Sequence, residues 1–278
     1  MFGQNVASNK NKMNDMNGTL VREIKMAQNI QMKLLNGPQP EVEKGEVSGI
    51  SIPARLIGGD YFDFYLLPNN KLRIVIGDVM GKGIPAAMLM ILTRGAFRSA
   101  SESTEGPGET LTAMNKALYA DLRTLGSFVT VLCAEWDMET NIFTYASAGH
   151  NVPLVINFNG QVTEVPEVKN VMLGGLPDTE YKVNSIFIEE GNLVFFYTDG
   201  ITEAKNENGE MYRIERLKEA LYRNCSLQVK EVQKNIINSI EKFVDGAKQK
   251  DDITMVLLKL NNDGDVDLTG YNSPLLNP

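Results

Sequence analysis

Apolar residues in this 278-residue chain recur with two different periods, and the two periods occupy separate blocks. That segregation constrains the fold more than any single motif. Grouped strand patterns and grouped helix patterns argue for an α+β architecture, because a parallel βαβ chain would interleave them. The first block is helical: Leu20, Ile24, Ala27, Gln31 and Leu34 alternate at spacings of four and three, which predicts a helix over 20–35. Thr19 stands where a cap belongs, and Gly37-Pro38 stops the helix. From Val47 the period becomes two, and VSGISIPA, DYFDFYLL and KLRIVIGDV read as strands. Helical stretches follow at Ile84–Ala100 and Glu109–Leu125. A second run of strands covers SFVTVLCAEWD, NIFTYASAG, VPLVINF, QVTEV, VNSIFIEE and NLVFFYTDG, with hairpin-forming residues between them. Helices return at Arg213–Arg223 and Leu227–Val244, and ITMVLLKL over 253–260 is the last strand. About ten strands joined by tight turns imply antiparallel sheets, and four helices suffice to cover the outer faces of a stacked pair.

The blocks divide the chain into an Asn-rich arm over 1–18, expected to be disordered, a helix over 19–36, a folded body over 45–260 and a polar tail over 261–278. The arm has no apolar stretch of the kind a signal peptide needs. The longest clearly apolar run, Ile84–Leu92, is far short of a membrane span. Lys and Arg total 27 against 35 Asp and Glu, a net charge of -8, so the chain is a poor global counterion for nucleic acid. One His (His150) and two Cys (Cys133, Cys225) cannot build a zinc site of the usual nitrogen and sulfur kind. The two thiols lie far apart and read as reduced, buried groups, which makes a cytoplasmic setting the expectation. Any metal chemistry must therefore rest on carboxylates.

Those carboxylates stand in unusual places. Asp60 follows Gly58-Gly59 at a strand start, and Asp78 ends KLRIVIGD. Asp199 ends NLVFFYTD and precedes Gly200, while Asp251-Asp252 stand just before ITMVLLKL. A carboxylate at the edge of a buried strand is costly unless it is paired, hydrogen-bonded or on a metal. No run of Lys or Arg stands ready to pair with them. Hard cations such as Mg²⁺ and Mn²⁺ take oxygen ligands, so a shared acidic metal site is one reading. The other is that each Asp caps a turn, since Asp-Gly is a common turn pair. Three further motifs fail on their own chemistry. GDVMGKG is one residue short of a phosphate loop and lacks its Ser or Thr. GGDYF is similar to the diguanylate cyclase signature, but the metal-binding Asp on an upstream strand is missing. Asp263, Asp265 and Asp267 begin like a calcium loop, yet Leu268 replaces its Gly and Pro274 stands where Glu is needed.

PARLIGGDYFDFY, VIGDVMGKGIPAAMLM, YASAGHNVPLVI, FYTDGITEAKNENGEMY and KDDITMVLL stand in an order and spacing that resembles a known family. It is the bacterial branch of the protein phosphatase 2C-like (PPM) family, the SpoIIE/RsbU-like serine phosphatases. The similarity covers roughly residues 20–260. The resemblance implies an αββα sandwich: two antiparallel sheets flanked by helix pairs. It implies two Mn²⁺ or Mg²⁺ ions and hydrolysis of phosphoserine or phosphothreonine on a protein by metal-activated water. By resemblance, Asp78 bridges both ions, the Val79 carbonyl completes the shell of the second, and Asp60 lies near that second ion. Asp199 and Asp251 match ligands of the first ion, with Asp252 standing behind them. Relatives often act on a phosphorylated anti-sigma-factor antagonist of the STAS type within a partner-switching circuit.

The departures from the family pattern also matter. Met80 replaces the His that animal-type relatives carry two residues after the bridging Asp, so no protein acid is assigned to the leaving group. Leu56 stands where close relatives often have Glu. Arg55 reads either as a phosphate ligand or as a surface residue, and His150 either as the orienting group of its turn or as an acid or base. A non-catalytic relative that binds a phosphoprotein is the alternative to an enzyme, although every matched acid is present. Val21, Met26, Ile30 and Leu35 widen the apolar face of the first helix, so it is expected to have two neighbours. One is its own domain, and the other is an activating partner or a second copy in a homodimer. The helix is too short to form a stable coiled coil alone.

Overall fold

The computed structural model of the chain describes residues 2–262, with side chains from Asn17 onward. The first element is helix α1 (Phe2–Leu35). Ten strands then build two five-stranded sheets. One sheet has the order β1 (Gly45–Ile52), β10 (Ile253–Leu260), β9 (Leu193–Tyr197), β6 (Leu154–Ile156) and β7 (Val162–Glu164). The other has β2 (Tyr61–Leu67), β3 (Lys71–Val79), β4 (Val129–Asp137), β5 (Ile142–Ala148) and β8 (Asn184–Phe187). Every neighbouring pair runs antiparallel.

Period-two patterning sorts each strand between two cores. Leu72, Ile74 and Ile76 of β3 and Trp136 of β4 point between the sheets and meet Val194, Phe196, Val256 and Leu258. Val75, Val79, Val131 and Cys133 point outward, onto α2 (Ile84–Ser101) and α3 (Pro107–Leu125) through Met90, Phe97, Leu111 and Met114. On the far side, Phe195, Met255 and Leu257 pack against α5 (Arg213–Asn224) and α6 (Val229–Val244) through Leu217, Leu221, Val232 and Ile236. The result is the expected four-layer αββα sandwich. Local signals set the helix ends: Pro107 opens α3 after Gly106, and Gly126 closes it at φ 61.

Three expectations need correction. Residues 2–18 are helical, not a disordered arm, and Thr19 lies inside α1 instead of capping it. The segment contains no Pro, and its few apolar residues, Phe2, Val6, Met13 and Met16, are outnumbered by Asn, Lys, Gln and Ser, so composition masked the helix. The polar tail beyond Asn262 lies outside the described residues. Cys133 is buried as expected, whereas Cys225 is only partly so. Among the described residues, no helix is long and apolar enough to cross a membrane.

One polar network sits inside the helix-facing core. Arg73 on β3 is fully buried opposite Glu135 on β4, with Nη2 2.6 Å from Oε2. The same guanidinium donates to the Thr104 hydroxyl at 3.0 Å and to its carbonyl at 3.1 Å. Removing one partner of such a pair strands the other charge, at a cost of about 3–5 kcal/mol. Glu135→Ala is expected to lose that much in urea unfolding. The double variant Arg73→Met/Glu135→Met should recover most of it.

A candidate metal centre at one end of the sandwich

The ends of four strands bring the sequence-flagged acids together. In the β2–β3 hairpin Tyr61 faces Gly77, which puts Asp60 and Asp78 side by side at the next step. Asp78 in turn faces Thr130 on β4. In the opposite sheet Tyr197 of β9 faces Met255 of β10, so Asp199 and Asp251-Asp252 emerge from the same end. A one-turn helix, α4 (Asp199–Thr202), starts at Asp199 and was not anticipated.

Asp252 carries the hydrogen bonds that organise this end. Its Oδ1 accepts from the Ala54 N–H at 2.8 Å, and its Oδ2 from those of Gly59 at 2.7 Å and Asp60 at 3.4 Å. Two glycines make room for it. A Cβ on Gly58 would run into the Asp252 carboxylate, and one on Gly200 into the Asp252 carbonyl. The two sheets are tied a second time by Thr198, whose hydroxyl donates to Asp60 Oδ2 at 2.7 Å and accepts from the Thr254 N–H at 3.1 Å. The carbonyl of Val79 lies against Gly59, 3.0 Å from where a Cβ would be.

The electrostatics follow from crowding acids into a partly buried corner. Burial raises the Asp60 carboxyl well above its usual value, and Asp78 and Asp252 push it further. Asp78 is pushed up to about 7 by burial and by the charges of Asp199 and Asp251. Asp199 is raised by burial, then by Asp251 and Glu203. Among the described residues, no three Asp, Glu, His or Cys side chains form a ready-made metal shell. The acids are instead held by protein donors: Asp252 by backbone N–H groups, Asp60 by Thr198, and Asp251 by Lys82 at 2.6 Å. The group nevertheless fits a hard divalent cation in chemistry. Its donors are all oxygen, and a cation would offset both the burial and the mutual repulsion that raise Asp60, Asp78 and Asp199.

The remaining flagged residues lie around this corner. Arg55 is exposed on the loop before Gly58, its guanidinium 3.4 Å from where a Cβ on Gly83 would be. His150 does not touch the acids. Its Nδ1 is 3.0 Å from the Thr130 hydroxyl, and its backbone is held from both sides by the Ser147 hydroxyl at 2.8 and 3.0 Å. Its Nε2 is enclosed without a well-formed hydrogen bond, the Tyr197 backbone being a weak partner. Burial lowers the ring from 6.5 to about 4. Sequence reasoning missed Gln31, Thr198 and Lys82. Gln31 is buried, and its side-chain amide grips both backbone groups of Gly58, donating at 2.8 Å and accepting at 3.0 Å. The available signal was a polar residue within an otherwise apolar stripe.

Comparison with known proteins gives consistent findings. The family model described as stage II sporulation protein E (SpoIIE) matches residues 68–261. Phosphoserine phosphatase RsbU of Bacillus subtilis (strain 168) is 33% identical over 237 residues, which cover 85% of this chain and 70% of RsbU. The SiaA-PP2C domain of Pseudomonas aeruginosa superposes with a TM-score of 0.78 at 20% identity, covering 88% of this chain and 99% of that one. The catalytic domain of the serine/threonine protein phosphatase PstP, solved with 2 manganese ions, superposes with a TM-score of 0.58 at 15% identity, covering 79% and 99%. The two structures show that the fold is of the PP2C kind.

The buried imidazole sets a pH dependence. Its folded value, about 4, lies below the unfolded 6.5, so its contribution is fully present above pH 6.5 and is lost as pH falls toward 4. The difference in unfolding free energy between the wild type and His150→Asn should therefore change by about 2 kcal/mol between pH 7.5 and 5, the wild type losing more. The pH–rate profile near neutrality should keep both limbs in the variant.

Proposed function

The chain belongs to the stage II sporulation protein E family of PPM-type protein serine/threonine phosphatases, and on that premise we propose that it dephosphorylates a regulatory phosphoprotein at the acidic corner of its sandwich. The observation that carries this reading is the convergence of Asp60, Asp78, Asp199 and Asp251 from the strand ends of both sheets.

In this proposal Asp78, Asp60, the Val79 carbonyl, Asp199 and Asp251 are the groups that would hold the divalent cations. Mn²⁺ or Mg²⁺ held there would activate water and neutralise phosphoryl oxygens. The all-oxygen donor set supports this choice of ion, as do the manganese ions of the related PstP structure. Each residue has a task of its own. Asp60 has one oxygen anchored by Thr198 and is in side-chain hydrogen-bond contact with Asp78. Asp252 spends its carboxylate on backbone N–H groups and so positions the segment that carries Asp60. Arg55 is free to pair with phosphate oxygens at the rim. His150 stays neutral and keeps its proton, so it serves the turn and not the leaving group.

The similarity to RsbU supports a phosphoserine substrate in a partner-switching circuit, which we take to be a STAS-type anti-sigma-factor antagonist. Met26 and Ile30, one turn apart, are exposed apolar residues on α1, as are Leu20 and Val21 nearer its start, and they are open to an activating partner or a second copy. That helix reaches the corner through Gln31, whose grip on Gly58 lies two residues from Asp60.

Turnover of p-nitrophenyl phosphate and of a phosphoserine protein should require Mn²⁺ or Mg²⁺ and vanish in excess chelator. Asp78→Asn should abolish both activities and leave the circular dichroism spectrum unchanged, whereas Asp63→Asn should remain active. Full turnover in Asp78→Asn would remove the basis for the proposal. Deleting residues 1–36 should change turnover, or mass by light scattering, because it removes Gln31 together with the exposed face.

A further inference from the structure

Among the described residues, Lys82 is the one cation in an ion pair with any of the five clustered acids. Its Nζ lies 2.6 Å from Asp251 Oδ2 and donates to the Lys250 carbonyl at 2.8 Å. The other oxygen of Asp251 accepts from the Asp252 N–H at 3.1 Å, so each oxygen of this carboxylate has a protein partner. Asp199 feels the same ammonium.

Lys82 reaches Asp251 because of its turn. Gly81 at φ 100 and Gly83 at φ 74 flank it in left-handed conformations that ordinary residues avoid. That turn joins the end of β3, and therefore Asp78, to the start of α2. A Cβ on Gly81 would meet nothing within 4 Å, so what this glycine supplies is backbone freedom and not space. The pair is half-exposed, 41% for Lys82 and 38% for Asp251. At that exposure the ammonium can leave and return without a large desolvation cost. A lysine suits such a role, being a compact charge on a flexible stem with three donors, two of them used here.

We propose that Lys82 is a tethered counter-cation: it holds Asp251 in place when no divalent ion is bound and opposes divalent binding at that carboxylate. The inference rests on the metal-centre reading above. It assigns this chain a built-in competitor for its own cation, so that occupancy depends on where the Gly81–Gly83 turn holds the ammonium.

The test is calorimetric titration of the metal-stripped full chain with Mn²⁺, alongside melting in chelator. A single positive charge beside a dication in a water-like dielectric shifts binding by about tenfold. Lys82→Gln should therefore bind Mn²⁺ about tenfold more tightly than wild type and melt lower in chelator, with the melting gap closing in saturating Mn²⁺. Lys82→Arg should behave as wild type. Unchanged Mn²⁺ affinity in Lys82→Gln, with a raised KM for the phosphoprotein, would make Lys82 a substrate ligand and overturn the proposal. If the wild type binds no Mn²⁺, the metal centre itself fails and the role of Lys82 with it. If the wild type binds and the variant binds more weakly, only the role of Lys82 fails.

Discussion

The carboxylate of Asp252 holds together the end of the molecule at which the acids converge. It stands at the start of β10 in one sheet and accepts N–H groups from Ala54, Gly59 and Asp60, which lead into β2 of the other. A sandwich of two sheets needs only apolar contacts to keep its layers together, and those contacts are not directional. Fixing one carboxylate against another across the layers takes directional bonds, and Asp252 with Thr198 supplies them. This explains the three acidic motifs as a unit. GGD, TDG and DD come from distant parts of the sequence, yet Gly58 and Gly200 are small for the same reason: both lie against Asp252.

The same logic connects the corner to the helices outside it. Gln31 fixes α1 to Gly58, and Asp63 on β2 takes Arg98 of α2 at 2.7 and 2.8 Å, with Arg94 at 3.1 Å. The strand leading from Asp60 is thus tied to two helices within a few residues. A rigid-body shift of either helix would pull on the segment that carries a proposed metal contact. A physical route from the surface of α1 to the site therefore exists, whatever partner uses it.

What the sequence revealed, and what it hid, follows from the range of each interaction. Period-two patterning reports burial against a sheet, and it located β3 over Lys71–Val79 to the residue. The acids were legible because an Asp ending an apolar run is locally anomalous. Thr198 and Lys82 were not, since their partners lie 138 and 168–169 positions away and nothing local marks them, while Gln31 showed only as a polar residue in an apolar stripe, its partner 27 positions away hidden. The helix over 2–18 escaped because its apolar residues are sparse: Phe2, Val6, Met13 and Met16 stand among Asn, Lys, Gln and Ser. The family resemblance named the acids and their roles, but it gave no hint that Asp251 is held by an ammonium or that a glutamine grips Gly58.

The corner is built against its own stability. Burial and mutual repulsion hold Asp60, Asp78 and Asp199 above their ordinary values, and a fold selected for stability alone would not place like charges there. Apolar layers on both sides can carry such a cost, because they bury large side chains such as Trp136, Phe143 and Phe196 in one core and Phe195 and Met255 in another. The donors that satisfy individual acids limit the strain without removing it. Thr198 and the backbone N–H groups are neutral, so they orient the carboxylates while leaving most of the negative charge uncompensated. Lys82 alone contributes charge, and it does so from an exposed, flexible stem at the edge. The acids are therefore arranged in advance and left short of positive charge, which is the electrostatic condition for binding a divalent cation and then the phosphate it attracts.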